Sequence, residues 1–276
     1  MNGGLTLHPV DWGIVGPALV AGLLVLCTHV PLGLRVLRKG IVFIDLAIAQ
    51  IAGLGVITAD ALGFEPQGWG VQLSAMGAAL LGATLLTWTE RRWPDIQEAL
   101  IGTLFVVASC LGLLMLSGNP HGGEHLKDLL VGQILWVMPQ QLWAMAGVTA
   151  AVLISLVALA RAPAGWQGWG FHALFALAVT ASVQLVGVYL VFASLIMPAL
   201  AVRRLSARQG LALALALGLA VGAGGYLAGL SLSAMLDWPS GAVVVLALAV
   251  VACAAGIAVG RALRTAPLAN RPQAPT

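Results

Sequence analysis

Eight long apolar runs organise this sequence, at about residues 13–34, 41–62, 71–88, 97–117, 140–160, 170–200, 209–231 and 240–260. A helix needs about 20 predominantly apolar residues to cross the hydrocarbon core of a bilayer, and these runs are of that order. In hydrocarbon every backbone N–H and C=O must be satisfied within the segment, so the runs read as helices. A transmembrane barrel would show alternating strands of about ten residues instead. Stretches such as LALALALGLAVGAGGYLAGL are apolar on every face. The expected fold is all-α: a polytopic membrane protein of about eight helical spans, with short broken or re-entrant helices between them. Residues 1–264 are expected to form one transmembrane domain and 265–276 a disordered cytoplasmic tail.

Composition closes off the other classes. Of the 276 residues, 60% are hydrophobic and 8% charged, where a soluble domain carries about 25% charged residues. Mean hydropathy is +0.99. A disordered chain, a disulfide scaffold and a soluble enzyme are excluded on that balance. Cys27, Cys110 and Cys253 lie far apart in apolar runs, form no CxxC pair, and read as small core residues. The opening MNGGLTLHPVDW has no Lys or Arg. It lacks the basic region of a cleaved signal peptide, so the first run is read as a retained helix.

Charge placement sets the orientation. Arg35, Arg38 and Lys39 form one cluster; Arg91 and Arg92 a second; Arg161 stands alone; Arg203, Arg204 and Arg208 follow; Arg261, Arg264 and Arg271 close the chain. Only Lys127 falls elsewhere. The positive-inside rule puts those five places in the cytoplasm, the N-terminus outside and the C-terminus inside. Parity then demands a break. Arg161 and Arg203 lie on the same side, yet one apolar run of 33 residues, Trp169 to Ala201, separates them. That run is read as a passage outward over about 170–186, a break near Gly187, and a short return helix over about 188–200. The stretch 126–139, LKDLLVGQILWVMP, is too short to span and reads as re-entrant or interfacial. Transporters build their pathways from such pieces. Tilt and long loops in an ordinary bundle are the alternative.

The tryptophans sit mostly near span ends, as in an interfacial belt. Gly218/Gly222 and Gly225/Gly229 are small-xxx-small pairs that predict close packing, within the chain or between copies. His172, Gln184 and Gln72 read as interhelical hydrogen-bonding groups.

Two sets of polar residues are candidate metal ligands. The outer loops carry Asp11, Asp60, Glu65, Glu124, Asp128, Asp237, His8, His121 and His125. Such a face concentrates divalent cations. Its densest part is NPHGGEHLKD, where His121, Glu124 and His125 offer ligands that suit zinc and similar ions; a solvated loop is the alternative. Within the bilayer, Asp45 is the one carboxylate clearly inside a predicted span, and an acid at that depth reads as functional. It lies six residues beyond Lys39, roughly 9 Å along a helix. His29 lies six residues before Arg35, and Gln50 a turn or more further outward. His29, Asp45 and Gln50 form a plausible polar step on a cation path. The alternative pairs Asp45 with Arg38 or Lys39, or makes it a helix cap, and leaves His29 bonded to a backbone carbonyl.

The chain has no GxxxxGK[ST] phosphate loop, GxSxG or HExxH, so it is not expected to be an enzyme or to bind ATP by that loop. Four stretches do resemble a known family, the permease subunits of the metal-ion ABC importers. RVLRKGIVFIDLAIAQIAGLG resembles its basic turn and Asp-containing helix. QEALIGTLF resembles the segment in which a Glu opens the fourth span. VQLVGVYLVFASLIMPALAVRRL and LDWPSGAVVVLALAV resemble two further stretches, and are the most specific.

The resemblance implies the fold of the metal, cobalamin and siderophore ABC importer permeases. It also implies a multi-pass protein of the bacterial inner membrane that forms a homodimer on two cytoplasmic ABC ATPase subunits. An extracytoplasmic metal-binding protein would deliver the cargo, a divalent transition-metal ion, with zinc expected first, manganese second and iron third. Membrane lipid surrounds such a protein, no nucleic acid is involved, and no cofactor is held permanently. Pro198, Ala199, Arg203, Arg204 and Arg208 match the position of the family's ATPase-coupling helix. Two departures stand out. The family usually carries Asp-x-x-x-His on the second span, with both residues on the metal; here Asp45 is followed by Ala49, with Gln50 next. RAPAGWQGWG also replaces a more acidic cytoplasmic segment. The same fold moving a metal chelate, or a non-transporting membrane scaffold, are the alternatives.

Overall fold

The computed structural model describes residues 9–65, 68–116, 132 and 134–265. Nine helices follow one another: α1 (Trp12–Lys39), α2 (Ile44–Ala61), α3 (Trp69–Arg92), α4 (Gln97–Leu116), α5 (Pro139–Ala160), α6 (Ala164–Val186), α7 (Val188–Arg208), α8 (Leu211–Leu236) and α9 (Ser240–Thr265). Among the described residues all nine regions are long and apolar enough to cross a membrane. The multi-pass, all-α expectation holds, with one more long helix than the eight apolar runs.

The extra helix comes from the parity break. Gly187 takes φ 83 and ψ 160, a conformation open to glycine, and there the 170–200 run divides. The return helix is longer than the expected 188–200. It passes through Pro198 without stopping and ends at Arg208. Ala199, Ala201, Val202 and Leu205 explain the extension, because they pack with Leu34 of α1, Ala214 of α8 and Ala252 of α9. Apolar burial holds the helix together across the hydrogen bond that proline removes.

Side-chain contacts bring the basic helix ends together. Lys39 at the end of α1 pairs with Glu90 near the end of α3 at 2.6 Å. The same lysine lies over the ring of Phe171, near the start of α6. Glu98 at the start of α4 meets Phe43 before α2. The C-terminal parts of α1, α7 and α9 share a cluster through Leu34, Leu205 and Leu263. The arginine clusters of α1, α3, α7 and α9 therefore gather at one end of the bundle.

Two helices form the centre. In their most apolar stretches, 67% of α7 and 61% of α6 is buried, against 24% or less for α4, α5 and α9. Between α1 and α8 the glycine pairs act within the chain. Gly218 faces Val30 and Gly222 faces Leu26, both of α1; Gly225 and Gly229 face Leu248 and Val244 of α9. Missing side chains let the backbones approach, as the spacing predicted. All nine tryptophans are exposed, at or near helix ends. The cysteines depart from expectation: Cys110 and Cys253 are exposed and only Cys27 is partly covered. In a bilayer an apolar position need not face protein, since lipid covers it equally well.

The stretch 126–131 lies outside the described residues, as does the 266–276 tail. From Gly132 the chain touches the bundle. Gly132 (φ 69) lies against the Val186 carbonyl and the Gly187 nitrogen, and Ile134 is buried in a short turn, Ile134–Trp136.

Gly33 separates a packing effect from a propensity effect. A Cβ there would strike the Leu195 carbonyl of α7, which is backbone and cannot rotate away. Gly33→Ala is expected to destabilise the fold by about 1–3 kcal/mol. Gly77→Ala, with nothing within 4 Å of the new methyl, is expected to be neutral or to gain up to about 1 kcal/mol. Thermal unfolding in detergent measures the contrast.

Candidate cation-binding residues and the basic end

Asp45 occupies the second position of α2. Helix α1 ends at Lys39, Gly40 caps it in the left-handed region, and α2 starts at Ile44. The residues between Lys39 and Asp45 therefore form a turn, and the roughly 9 Å of helical rise expected from the spacing does not apply. Asp45 lies in the first helical turn at the basic end, and is 1% exposed. Its Oδ1 accepts a hydrogen bond from the Leu46 N–H at 2.8 Å. Its Oδ2 is buried and has no partner among the described residues. A helix N-terminus favours a carboxylate, which accounts for half of this arrangement. The free oxygen is unexplained by capping. Lys39 is committed to Glu90 instead.

His29 lies ten residues before Lys39 on the same helix, roughly 15 Å along the axis. It is fully buried. Its Nδ1 is 2.9 Å from the Val25 carbonyl and 2.9 Å from Thr28 Oγ1, while Nε2 is buried without a partner among the described residues. His29 and Asp45 do not bond each other. Helix α1 packs mainly on α5, α6, α7 and α8, whereas α2 packs mainly on α3, α4, α6 and α7. The expected step of His29, Asp45 and Gln50 is thus spread over different depths, with Gln50 half-buried about 7.5 Å further along α2. Ala49 is buried at 2% exposure. Among the described residues there is no group of three or more His, Cys, Asp or Glu side chains able to hold a metal ion. His121, Glu124 and His125 lie outside the described residues. Of the other outer acids, Asp11 caps α1 through the Gly13 N–H at 2.8 Å, and Asp237 ends α8 in the left-handed region.

His172 does form the interhelical bond expected of it. Its Nδ1 lies 3.1 Å from Thr87 Oγ1 of α3 and 3.0 Å from the Gly168 carbonyl. Its Nε2 faces Glu90 Oε2 at 3.6 Å. Glu90 was not singled out in the sequence; a lone acid beside Arg91 and Arg92 carries no signal there, and only the fold brings Lys39 to it. Tyr226 was missed for the same reason. Its hydroxyl meets Ser194 Oγ at 2.8 Å, joining α8 to α7, and its ring fills the space beside Gly22 of α1.

At the same end, α7 and α9 enclose a groove of about 660 Å³ that includes Leu200, Arg203, Arg204, Cys253, Gly256 and Arg261. Pro198 and Ala199 are buried, while Arg203 and Arg204 are exposed. Of the residues expected to dock, Arg203 and Arg204 are the exposed ones among those described. The Arg208 side chain lies outside the described ones. RAPAGWQGWG runs into the first turns of α6, with Gln167 Nε2 donating to the Ala162 carbonyl at 2.9 Å.

The fold is a multi-pass helical bundle with a collected basic end, a glycine break between two central helices and a buried carboxylate at a helix start. The sequence matches the ABC-3 family, the ABC 3 transport family, over residues 12–162 and 167–259, and the chain belongs to it. It is 26% identical over 253 residues to the manganese transport system membrane protein MntC of Halalkalibacterium halodurans, covering 86% of this chain and 84% of that one. It is 27% identical over 198 residues to an uncharacterized membrane protein of Synechocystis, covering 66% and 69%. The fold resembles PsaBC from Streptococcus pneumoniae in complex with Fab, with TM-score 0.70, 22% identity, and coverage of 88% and 90%. It also resembles an inward-facing putative metal-chelate type ABC transporter, with TM-score 0.61, 16% identity, and coverage of 90% and 84%.

The Lys39–Glu90 pair is partly exposed, 33% and 28%. A double-mutant cycle with Lys39→Ala and Glu90→Ala is expected to give a coupling of about 0.5–1 kcal/mol. Denaturation at low and high salt measures it, and the coupling should shrink with salt.

Proposed function

We propose that this chain is the membrane permease of an ATP-driven importer for divalent transition-metal ions. The observation that carries the reading is the match to a transport family along nearly the whole chain, joined to a buried Asp45 oxygen without a partner among the described residues. An acceptor oxygen held ready inside a membrane bundle is costly unless something positive visits it. A divalent cation meets that need as cargo.

The donor set argues for manganese ahead of zinc, with iron third. Asp45 offers oxygen, and Ala49 removes the imidazole that a zinc site favours. The name of the manganese-transport relative supports the same order. In this reading the basic end faces the cytoplasm of a bacterial inner membrane, with the N-terminus outside and the C-terminus inside. Two copies form the path and rest on separate ABC ATPase subunits. Arg203 and Arg204 dock there, and ATP hydrolysis on those subunits drives alternating access. An extracytoplasmic metal-binding protein supplies the ion, and the chain holds no permanent cofactor. A second reading keeps the fold and moves a metal chelate. The absence of a three-ligand cluster among the described residues favours it, since a chelated ion brings its own ligands.

Whole-cell manganese, zinc, iron and cobalt, measured by elemental mass spectrometry in metal-poor medium, test the proposal. A deletion strain is expected to lose one metal by at least about tenfold. The wild-type gene restores it and Asp45→Ala does not. No change in any metal in a strain without redundant importers would sink the importer reading. Uptake of a chelate but not of free ion would favour the second one. The pair Arg203→Glu with Arg204→Glu is expected to abolish uptake while membrane levels stay normal on a blot; normal uptake would remove both arginines from the docking surface.

A further inference from the structure

Helix α2 begins without a side-chain cap of its own. Phe43 stands at the cap position, with φ −90 and ψ 7, and supplies no acceptor. The first N–H groups of a helix need partners. Here the Ile44 N–H donates to the Ile41 carbonyl at 3.3 Å, and carboxylates on two different helices take the Leu46 N–H and the N–H of the cap residue Phe43. Asp45 Oδ1 takes the Leu46 N–H at 2.8 Å. Glu98 Oε1, from the second position of α4, takes the Phe43 N–H at 3.3 Å. Glu98 is itself held in register. The preceding residue, Gln97, is 5% exposed and donates through Nε2 to the Leu86 carbonyl of α3 at 3.1 Å. The start of α4 is thereby tied to α3, and the start of α2 is tied to α4.

We propose that Glu98 is the positioning residue for Asp45. Its carboxylate fixes the turn at Phe43, which sets the direction in which α2 leaves the basic end. That direction decides where Asp45, two residues later, holds its unpaired Oδ2. The role calls for an acceptor at Oε1 and no negative charge, so glutamine can fill it and alanine cannot. The proposal rests on the reading of Asp45 as a cation-binding carboxylate, and the test keeps the two separate.

The test uses the full chain expressed with its partner subunits in the deletion strain. Glu98→Ala, Glu98→Gln and Asp45→Ala are compared for maximal uptake of radioactive manganese at equal membrane levels. The purified chains are compared for hydrogen exchange in the peptide covering residues 41–48. Glu98→Ala is expected to speed exchange at that peptide about tenfold, the scale of a lost helix cap, and to cut maximal uptake. Glu98→Gln is expected to stay within about twofold of wild type in both. Unchanged exchange in Glu98→Ala, or Glu98→Gln as defective as Glu98→Ala, overturns the proposal. So does faster exchange with normal uptake, when Asp45→Ala abolishes uptake. Normal uptake in Asp45→Ala sinks the cation-site reading instead; the exchange result then decides alone whether Glu98 holds the turn.

Discussion

Arginine does not settle in hydrocarbon, and the whole topology follows from that cost. Clusters at 35–39, 91–92, 161 and 203–208 must end on one side. An odd number of crossings between Arg161 and Arg203 would put one of them on the wrong side. Gly187 resolves the conflict by ending one helix and starting the next without a loop: Gly187 N–H still donates to the Val183 carbonyl, and its own carbonyl accepts from Val191. Both backbone groups of Gly187 are thus satisfied at the reversal, as a lipid-bounded chain requires. The two helices flanking this glycine are also the most buried in the bundle. Their shared joint, with Gly132 lying on it, sits at the centre of the packing.

Around that joint, close approach replaces the hydrophobic effect as the organising force. Lipid tails are as apolar as leucine, so helices gain little by leaving them. They gain contact where side chains are missing. Gly33 admits the α7 backbone, Gly55 admits α3, and Gly218 to Gly229 admit α1 and then α9 along one helix. Serine and threonine add short bonds at these seams. Ser74 donates to the Gly55 carbonyl at 2.7 Å, where the small residue leaves it reachable. The outer helices α4, α5 and α9 turn leucine, valine and cysteine outward.

Much of this was legible in sequence because bilayer thickness and charge cost act locally. Run lengths give helices, arginine clusters mark the helix ends that gather together, and parity with the length of the 170–200 run points to the break at Gly187. What sequence could not supply was neighbour choice. His29 and Asp45 are on consecutive helices and looked like partners, yet α1 and α2 mostly pack on other helices. Periodicity carries no information on which apolar face meets which. The depth of Asp45 was misjudged for a local reason, since a glycine in the left-handed region turned the presumed helical rise into a corner. The return helix, expected over about 188–200, runs on to Arg208 because tertiary packing carries it through Pro198.

A site for transit obeys different rules from a site for storage. A structural zinc site closes four ligands around its ion and holds it. A transported ion must bind well enough to enter and weakly enough to leave. On the proposed function, the sparse donors of this chain suit the second demand. Asp45 supplies one free oxygen, fixed by a hydrogen bond at the other, and Ala49 adds no second ligand one turn away. The remaining coordination then falls to water, to the partner copy, or to a chelator that travels with the ion. Each of these leaves when the cavity changes shape. On the same proposal, a carboxylate at the start of α2, whose direction the Glu98 acceptor would set, would tie affinity to that change of shape, since tilting α2 would move the ligand.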